Sequence, residues 1–245
     1  VYGDDIAAVI AEDEIAAARA ARLVKAEYEE YEPILTVEQA MSPKATCLHE
    51  EKPGNVIAHS RFVVGEGTYE EAVDREEDLV QIDRDYRTQS VQHCHLELPV
   101  SFGYMEKDRI IVTTSTQIPH IVRRVIGQAM GIGWGSIRVI KPYIGGGFGN
   151  KQEVLYEPLN AWLTTQVGGR CVRLDVSREE TFQNTRSRHP ISFDVAAAVD
   201  GDMRLMARSC TAVSNQGGYA SHGHSIVANA VTGFRQLYQD RIGHH

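Results

Sequence analysis

The apolar and polar positions change period several times along the chain, and each period predicts an element. Residues 6–11 form a short apolar run that reads as a strand. Residues 23–28 alternate, with Val24, Ala26 and Tyr28 on one face, as a half-buried strand does. Between them residues 12–22 are rich in Ala, Glu and Arg, and the acids Glu12, Asp13 and Glu14 suit the positive end of a helix. The pattern predicts a small β-α-β unit closing near Pro33, then one helical turn over 36–40. Residues 42–55, running from Ser42-Pro43 to Lys52-Pro53-Gly54, have the composition of a linker and predict a boundary. Residues 55–67 and 79–92 read as strands. The acids between them (Glu70, Glu71, Asp74, Glu76, Glu77, Asp78) read as a solvated helix face or loop.

The second half is more strongly patterned. Residues 101–106 and 110–115 flank Lys107-Asp108-Arg109 as a hairpin. Ile118, Ile121, Val122, Val125, Ile126 and Ala129 recur at helical spacing and predict a core-facing helix over 118–130, with Arg123 and Arg124 on the other side. A strand over 137–140, a glycine-rich loop and a helix over 151–166 follow. Gly168-Gly169 ends that helix before a strand at 172–176. Two last strands, at 191–199 and 203–213, join through Asp200-Gly201 as a hairpin. The expected fold class is α+β, with mixed sheets and packed helices. The expected organisation is an N-terminal part over 1–41, a linker over 42–55 and a larger domain over 56–240. Residues 241–245, ending His244-His245, read as an appended tail, and the start at Val1 reads as a fragment of a longer protein.

Composition narrows the function. With 42% hydrophobic and 24% charged residues the chain is an ordinary globular protein. Its net charge of −8 argues against nucleic acid or an anionic membrane as the main partner. No apolar stretch reaches the ~18–20 residues that span a bilayer. Cys47, Cys94, Cys171 and Cys210 form no CxxC pair, so no zinc or iron–sulfur site is encoded in these residues. Reduced thiols and a cytoplasmic location are the expectation.

The chemistry concentrates in Ile144-Gly145-Gly146-Gly147-Phe148-Gly149-Asn150-Lys151. Glycines let backbone approach a ligand closely, and a loop that opens a helix aims free N–H groups at an anionic or oxo-bearing group. Phe148 is the one bulky side chain there. A phosphate-gripping loop needs Gly before the Lys and Ser or Thr after it, where this chain has Asn150 and Gln152. A dinucleotide fingerprint needs a third Gly where Asn150 stands, and its acidic partner would be Asp175. That nucleotide-binding (NAD or FAD) oxidoreductase domain remains one alternative, and a non-catalytic assembly module another. His93-Cys94-His95 places two imidazoles on one face of a strand, but no third metal ligand is spaced to join them, so a hydrogen-bonded, partly buried pair is expected. In Ser115-Thr116-Gln117 the first two residues can cap the helix that follows. Gln117 is left as a neutral amide able to donate and accept.

Taken together, Ser115-Thr116-Gln117, Gly145-Gly146-Gly147-Phe148-Gly149 and the Val122-Arg123-Arg124 helix between them resemble the molybdenum hydroxylase family. This is the xanthine dehydrogenase and aldehyde oxidase group, and within it the separate molybdenum subunits of bacterial xanthine dehydrogenases. The resemblance implies that residues 1–41 are the C-terminal part of a hammerhead-type α/β domain and 56–240 the first part of a molybdopterin-binding domain. It implies a molybdenum–molybdopterin cofactor, with 2Fe-2S clusters and FAD on partner subunits of an oligomeric complex. It gives Gln117 a hydrogen bond to an oxo group on molybdenum, makes Gly147, Phe148 and Gly149 the loop beside the cofactor, and sets Phe148 against the substrate. The implied reaction hydroxylates a purine (xanthine or hypoxanthine) or related N-heterocycle with oxygen from water. Where purine-oxidising relatives often carry a substrate-binding Glu, this chain has Gln152, and Asn229 stands near the position of a substrate-stabilising Arg. The family's general-base Glu falls in later sequence, which implies that these 245 residues do not turn over alone.

Overall fold

The computed structural model describes residues 2–64 and 67–237. The chain forms two compact units, each made of two stretches: Val1–Glu30 with Gln92–Ser187, and Tyr31–Val91 with Arg188–His245.

The first unit carries α1 (Glu14–Ala21), capped by Asp13, whose carboxylate accepts from the Ala16 N–H. The strands expected at 6–11 and 23–28 do not form, so the β-α-β unit is absent among the described residues. Both stretches are irregular, without ladder partners among the described residues, and largely exposed: Ile6 is 67% and Tyr28 69% accessible. Apolar content and alternation suggest a half-buried face, but a strand exists only when a neighbour satisfies its N–H and C=O groups.

The expected hairpin is present as β3 (Val100–Glu106) and β4 (Arg109–Thr114), paired antiparallel with Ser101 opposite Thr114. A crossover through α4 (Pro119–Met130) brings β5 (Ile137–Ile140) parallel to β4, and β6 (Val172–Asp175) adds antiparallel to β3. The sheet order is β5-β4-β3-β6. Ile110, Val112, Val122, Ile126, Ile137 and Ala161 form the core between sheet and helices. Ile121 and Ala129 lie outside it, exposed, because the buried stripe of α4 is narrower than its apolar spacing suggested. Pro119 sets the first turn, and Gly131, at φ +67°, ends the helix.

The helix expected from Lys151 begins instead at Glu157, as α5 (Glu157–Gln166); residues Asn150–Gln152 make only one 3-10 turn. Pro158 in the first turn of α5 favours that start. Asn160 of α5 donates to the carbonyl (3.0 Å) and hydroxyl (2.8 Å) of Ser101, and Gly103 has no Cβ to keep α5 from the sheet. The short helix α6 (Arg178–Asn184), with a Ser177–Glu180 capping box, completes the unit.

The second unit holds α2 (Val37–Ala40), with a Thr36–Gln39 capping box, and α3 (Tyr69–Asp74), whose acids face solvent while Ala72 is buried. Residues 42–55 lie within this unit as irregular chain closed by a 3-10 turn at Pro53–Asn55. No strand forms over 55–64, and the end of that expected strand reaches residues outside those described. The stretch 79–92 splits into β1 (Val80–Arg87) and β2 (Val91–Gln92). After β7 (Ser187–Arg188), β8 (Ile191–Val199) and β9 (Leu205–Ser214) form the predicted hairpin, with Asp200 accepting from the Asp202 and Arg204 N–H groups at 2.9 Å. The sheet order is β1-β8-β9, and its small core is Ala72, Ala198 and Ala207. The C-terminal helix α7 (Gly223–Leu237) is held by Arg208 of β9, whose guanidinium donates to the Phe234 and Arg235 carbonyls at 2.6 and 2.9 Å. The expected tail at 241–245 lies outside the described residues.

Candidate functional site

In the first unit the glycine loop leaves β5 and passes beside the end of β4. Gly146 (φ +100°), Phe148 (+51°) and Gly149 (+97°) are left-handed. For Phe148 that backbone is strained, and its ring stands 74% exposed. Gly147 is buried for a different reason: a Cβ there would stand 2.5 Å from Oε1 and 3.0 Å from Cδ of Gln117. Gln117 therefore lies against the loop backbone. Its Oε1 is buried and accepts no hydrogen bond among the described residues, and its backbone N–H donates to the Lys151 carbonyl at 2.9 Å. Thr116 does not cap α4; its hydroxyl accepts from the Ile118 N–H one turn earlier.

A ring of hydrogen bonds fixes this loop from behind. Lys151 is 1% exposed, and its ammonium donates to Oε2 of Glu97 at 2.6 Å and to the Glu97 carbonyl at 3.0 Å. The same Oε2 accepts from the Gly145 N–H, and the Glu97 N–H returns to the Gly145 carbonyl. Gly145 is needed for this approach, since a Cβ would come within 2.6 Å of the Glu97 Cβ. His95, fully buried, has Nδ1 2.6 Å from the Glu97 carbonyl and Nε2 3.1 Å from Nδ2 of Asn150. The Asn150 amide also meets Oγ1 of Thr185, whose own proton goes to the Thr181 carbonyl. Nδ2 must therefore be the donor, and His95 is neutral with its proton on Nδ1. Arg178 donates to the His95 carbonyl at 2.7 Å, and Arg186 bridges the Gly149 carbonyl and Glu153.

These contacts set the charges. Burial raises the Glu97 carboxyl, but hydrogen bonds from Lys151 and Gly145, with the Lys151 charge, outweigh it and hold the group below its ordinary range. Burial lowers His95. The Glu97 carbonyl opposes that, while Lys151, Arg178 and His93 reinforce it. Burial lowers His93 as well. A histidine whose folded-state pKa is depressed takes up its proton more readily in the unfolded chain. Stability is then complete above the ordinary value of about 6.5 and declines as pH falls below it. We expect urea unfolding midpoints to fall between pH 7.5 and 5.5, and His95→Gln to flatten that dependence. An unchanged slope in His95→Gln would contradict the neutral, buried imidazole.

Of the residues singled out from sequence, Gln117, Gly147, Phe148 and Gly149 come together here. Gln152 sits exposed on the 3-10 turn that closes the loop. Asn229 is exposed on α7 of the second unit. His93 and His95 are not on one strand face, because Cys94 is left-handed (φ +50°) and breaks the alternation. The described residues contain no group of three His, Cys, Asp or Glu side chains placed to hold a metal. The dinucleotide alternative loses its support: β6 pairs with β3 at the far edge of the sheet instead of lying beside β5, and Asp175 is paired with Arg173. Sequence reasoning missed Glu97, Asn150, Arg178 and Thr185. Their only advance signal was a lysine in an apolar-flanked loop with no acid beside it at helical spacing.

The family model described as the molybdopterin cofactor-binding domain matches residues 48–242. The putative xanthine dehydrogenase molybdenum-binding subunit of Escherichia coli K12 is 44% identical over 238 residues, which is 97% of this chain and 31% of that relative. The nicotinate dehydrogenase large molybdopterin subunit of Eubacterium barkeri is 27% identical over 230 residues, covering 94% of this chain and 52% of its own length. Among solved structures, the aldehyde oxidoreductase of Desulfovibrio gigas superposes with a TM-score of 0.76 at 25% identity, over 83% of this chain and 22% of that one. The chain thus spans 31% of the length of the Escherichia coli subunits it matches.

Proposed function

This chain belongs to the molybdopterin cofactor-binding domain family, and from that premise we propose that it is the first cofactor-facing part of a molybdenum hydroxylase subunit. The substrate class is xanthine, hypoxanthine or a related N-heterocycle, hydroxylated with oxygen from water. The carrying observation is the convergence of the Gln117 amide on Gly147, with a buried amide oxygen that has no partner among the described residues. A buried polar atom left unpaired costs about 1–3 kcal/mol, so the arrangement favours a bound group that completes it. Rotating the amide exchanges its oxygen and nitrogen, so the same position can donate to an oxo group or accept from a hydroxyl. The residues present therefore fit a molybdenum–molybdopterin cofactor. That group, when bound, supplies the two-electron chemistry of the reaction.

The chain's own residues do the rest. Gln117 orients a cofactor oxygen, and the backbone from Gly147 to Gly149 lines the approach. Phe148 offers an exposed ring against which a flat heterocycle stacks. Gln152 offers an uncharged amide to a ring edge, and Asn229 is assigned to the substrate on the resemblance alone. The general-base Glu is assigned to sequence following residue 245, and residues 1–41, 42–55 and 56–240 to hammerhead-like, linker and cofactor-binding parts. The proposal includes partner subunits carrying 2Fe-2S clusters and FAD in an oligomeric complex. It places that complex in the cytoplasm, consistent with four free cysteines. No helix among the described residues is long and apolar enough to cross a membrane. The names of the Escherichia coli and Eubacterium barkeri relatives, which specify xanthine and nicotinate dehydrogenases, support an N-heterocyclic substrate.

The test uses the complete complex. Xanthine, hypoxanthine and nicotinate are supplied in 18O-labelled water, with molybdenum content measured in parallel. We expect label in the hydroxylated product, and Gln117→Ala lowering kcat about 100-fold with molybdenum retained. No oxidation of any N-heterocycle by a molybdenum-replete complex would end the substrate assignment.

A further inference from the structure

A groove of about 370 Å3 opens in the first unit, and none of its lining residues takes part in the glycine-loop network. It is lined by Arg109, Arg123, Arg138, Lys141 and His120, with no acidic side chain. Among the described residues none of the three arginines nor Lys141 has an ion-pair partner. Nε of Arg123 is buried and donates to nothing among the described residues. Four uncompensated cations repel one another, and their concentration at one place in a chain of net charge −8 is the pattern an anionic ligand resolves. A guanidinium with a free buried donor matches the paired oxygens of a phosphate. Pro119 and His120, at the N-terminus of α4 where no side chain caps the helix, also line the groove.

Trp134 adds a second kind of chemistry. Gly127 of α4 is buried, and a Cβ there would stand 2.7 Å from Cδ1 of Trp134 and 3.0 Å from the Ile132 carbonyl oxygen. The absent Cβ lets the indole seat against the helix, yet Trp134 remains 49% exposed beside the cations. A positioned aromatic surface with free area is a stacking platform for a planar ring. The groove's volume lies in the range of small-molecule sites, ~300–1,000 Å3.

We propose that this groove binds a phosphate-bearing molecule of nucleotide size, its phosphates on Arg123, Arg138 and their neighbours and its planar ring on Trp134. The proposal does not depend on the molybdenum reading. A polynucleotide is disfavoured, because the basic surface is one short groove on an acidic chain.

The test is titration calorimetry on the complete natural protein with ADP, pyrophosphate and adenosine. ADP binds tightest, pyrophosphate more weakly, and adenosine without measurable heat; added salt weakens the first two. Arg123→Met lowers ADP affinity about tenfold or more. Arg138→Met, on an exposed side chain that the fold does not need, lowers it in the same direction. Trp134→Leu weakens ADP but leaves pyrophosphate unchanged. Absence of ADP binding overturns the proposal, as does adenosine binding as tight as ADP. Binding that persists unchanged in both arginine variants belongs elsewhere and overturns it equally.

Discussion

Gly147→Ala removes most turnover from the complete enzyme while leaving the chain folded. Gly147 does not have positive φ, so alanine meets no backbone strain there. The added carbon would fall 2.5 Å from Oε1 of Gln117, inside any real contact distance, and the amide must move. A displacement of about 1 Å in a group that orients a reacting centre is worth roughly 100-fold in rate. We expect a kcat loss of that size with an unchanged unfolding midpoint. Gly149→Ala is the contrasting variant. Its φ of +97° strains any side chain, by about 1–2 kcal/mol, but the nearest atom, Nε2 of His93, would be 3.8 Å away. It should lower the unfolding midpoint and leave kcat closer to the parent. Equal kcat in Gly147→Ala and the parent would remove Gln117 from the proposed role.

Lys151→Met produces the largest expected loss of stability. The substitution keeps the length of a side chain that is 1% exposed but strands the Glu97 carboxylate beside the Gly145 N–H without its cation. Breaking a fully buried pair costs about 3–5 kcal/mol; Glu97 keeps 31% of its side chain in solvent, so about 2–3 kcal/mol is expected. The double variant Lys151→Met, Glu97→Gln should recover much of that, because no unpaired charge remains. The pH dependence follows. The depressed Glu97 pKa contributes stability above its ordinary carboxylate value of about 4.3, lost as pH falls through the folded-state value. Lys151→Met should abolish that acid-side contribution. Urea denaturation of the parent and both variants across pH 3.5–7 measures both effects, and a double variant no better than the single would contradict the stranded-charge account.

The site and the fold were legible in the sequence to different depths. The β3–β4 and β8–β9 hairpins announced themselves through apolar runs around short polar turns, and α4 through its spacing. Such local signals survive because each element's partner is its own sequence neighbour. The strands expected at 6–11 and 23–28, and the described part (55–64) of the one expected at 55–67, failed for the complementary reason, that nothing adjacent in sequence says whether a partner strand will come. Lys151 was misread as the start of a helix. Its side chain turns inward to an acid far away in the chain, an attraction no local window contains.

Taken alone, the sequence determined the order of the strong elements, the glycine loop's need for close backbone approach and the presence of a neutral amide at Gln117. Those properties reside in single residues and short periods. Only the tertiary structure decided that Gly147 exists to admit Gln117, that Glu97 and Lys151 lock the loop, and that His95 is neutral. Each of these depends on a distance between segments remote in sequence, and burial alone makes those distances energetically decisive.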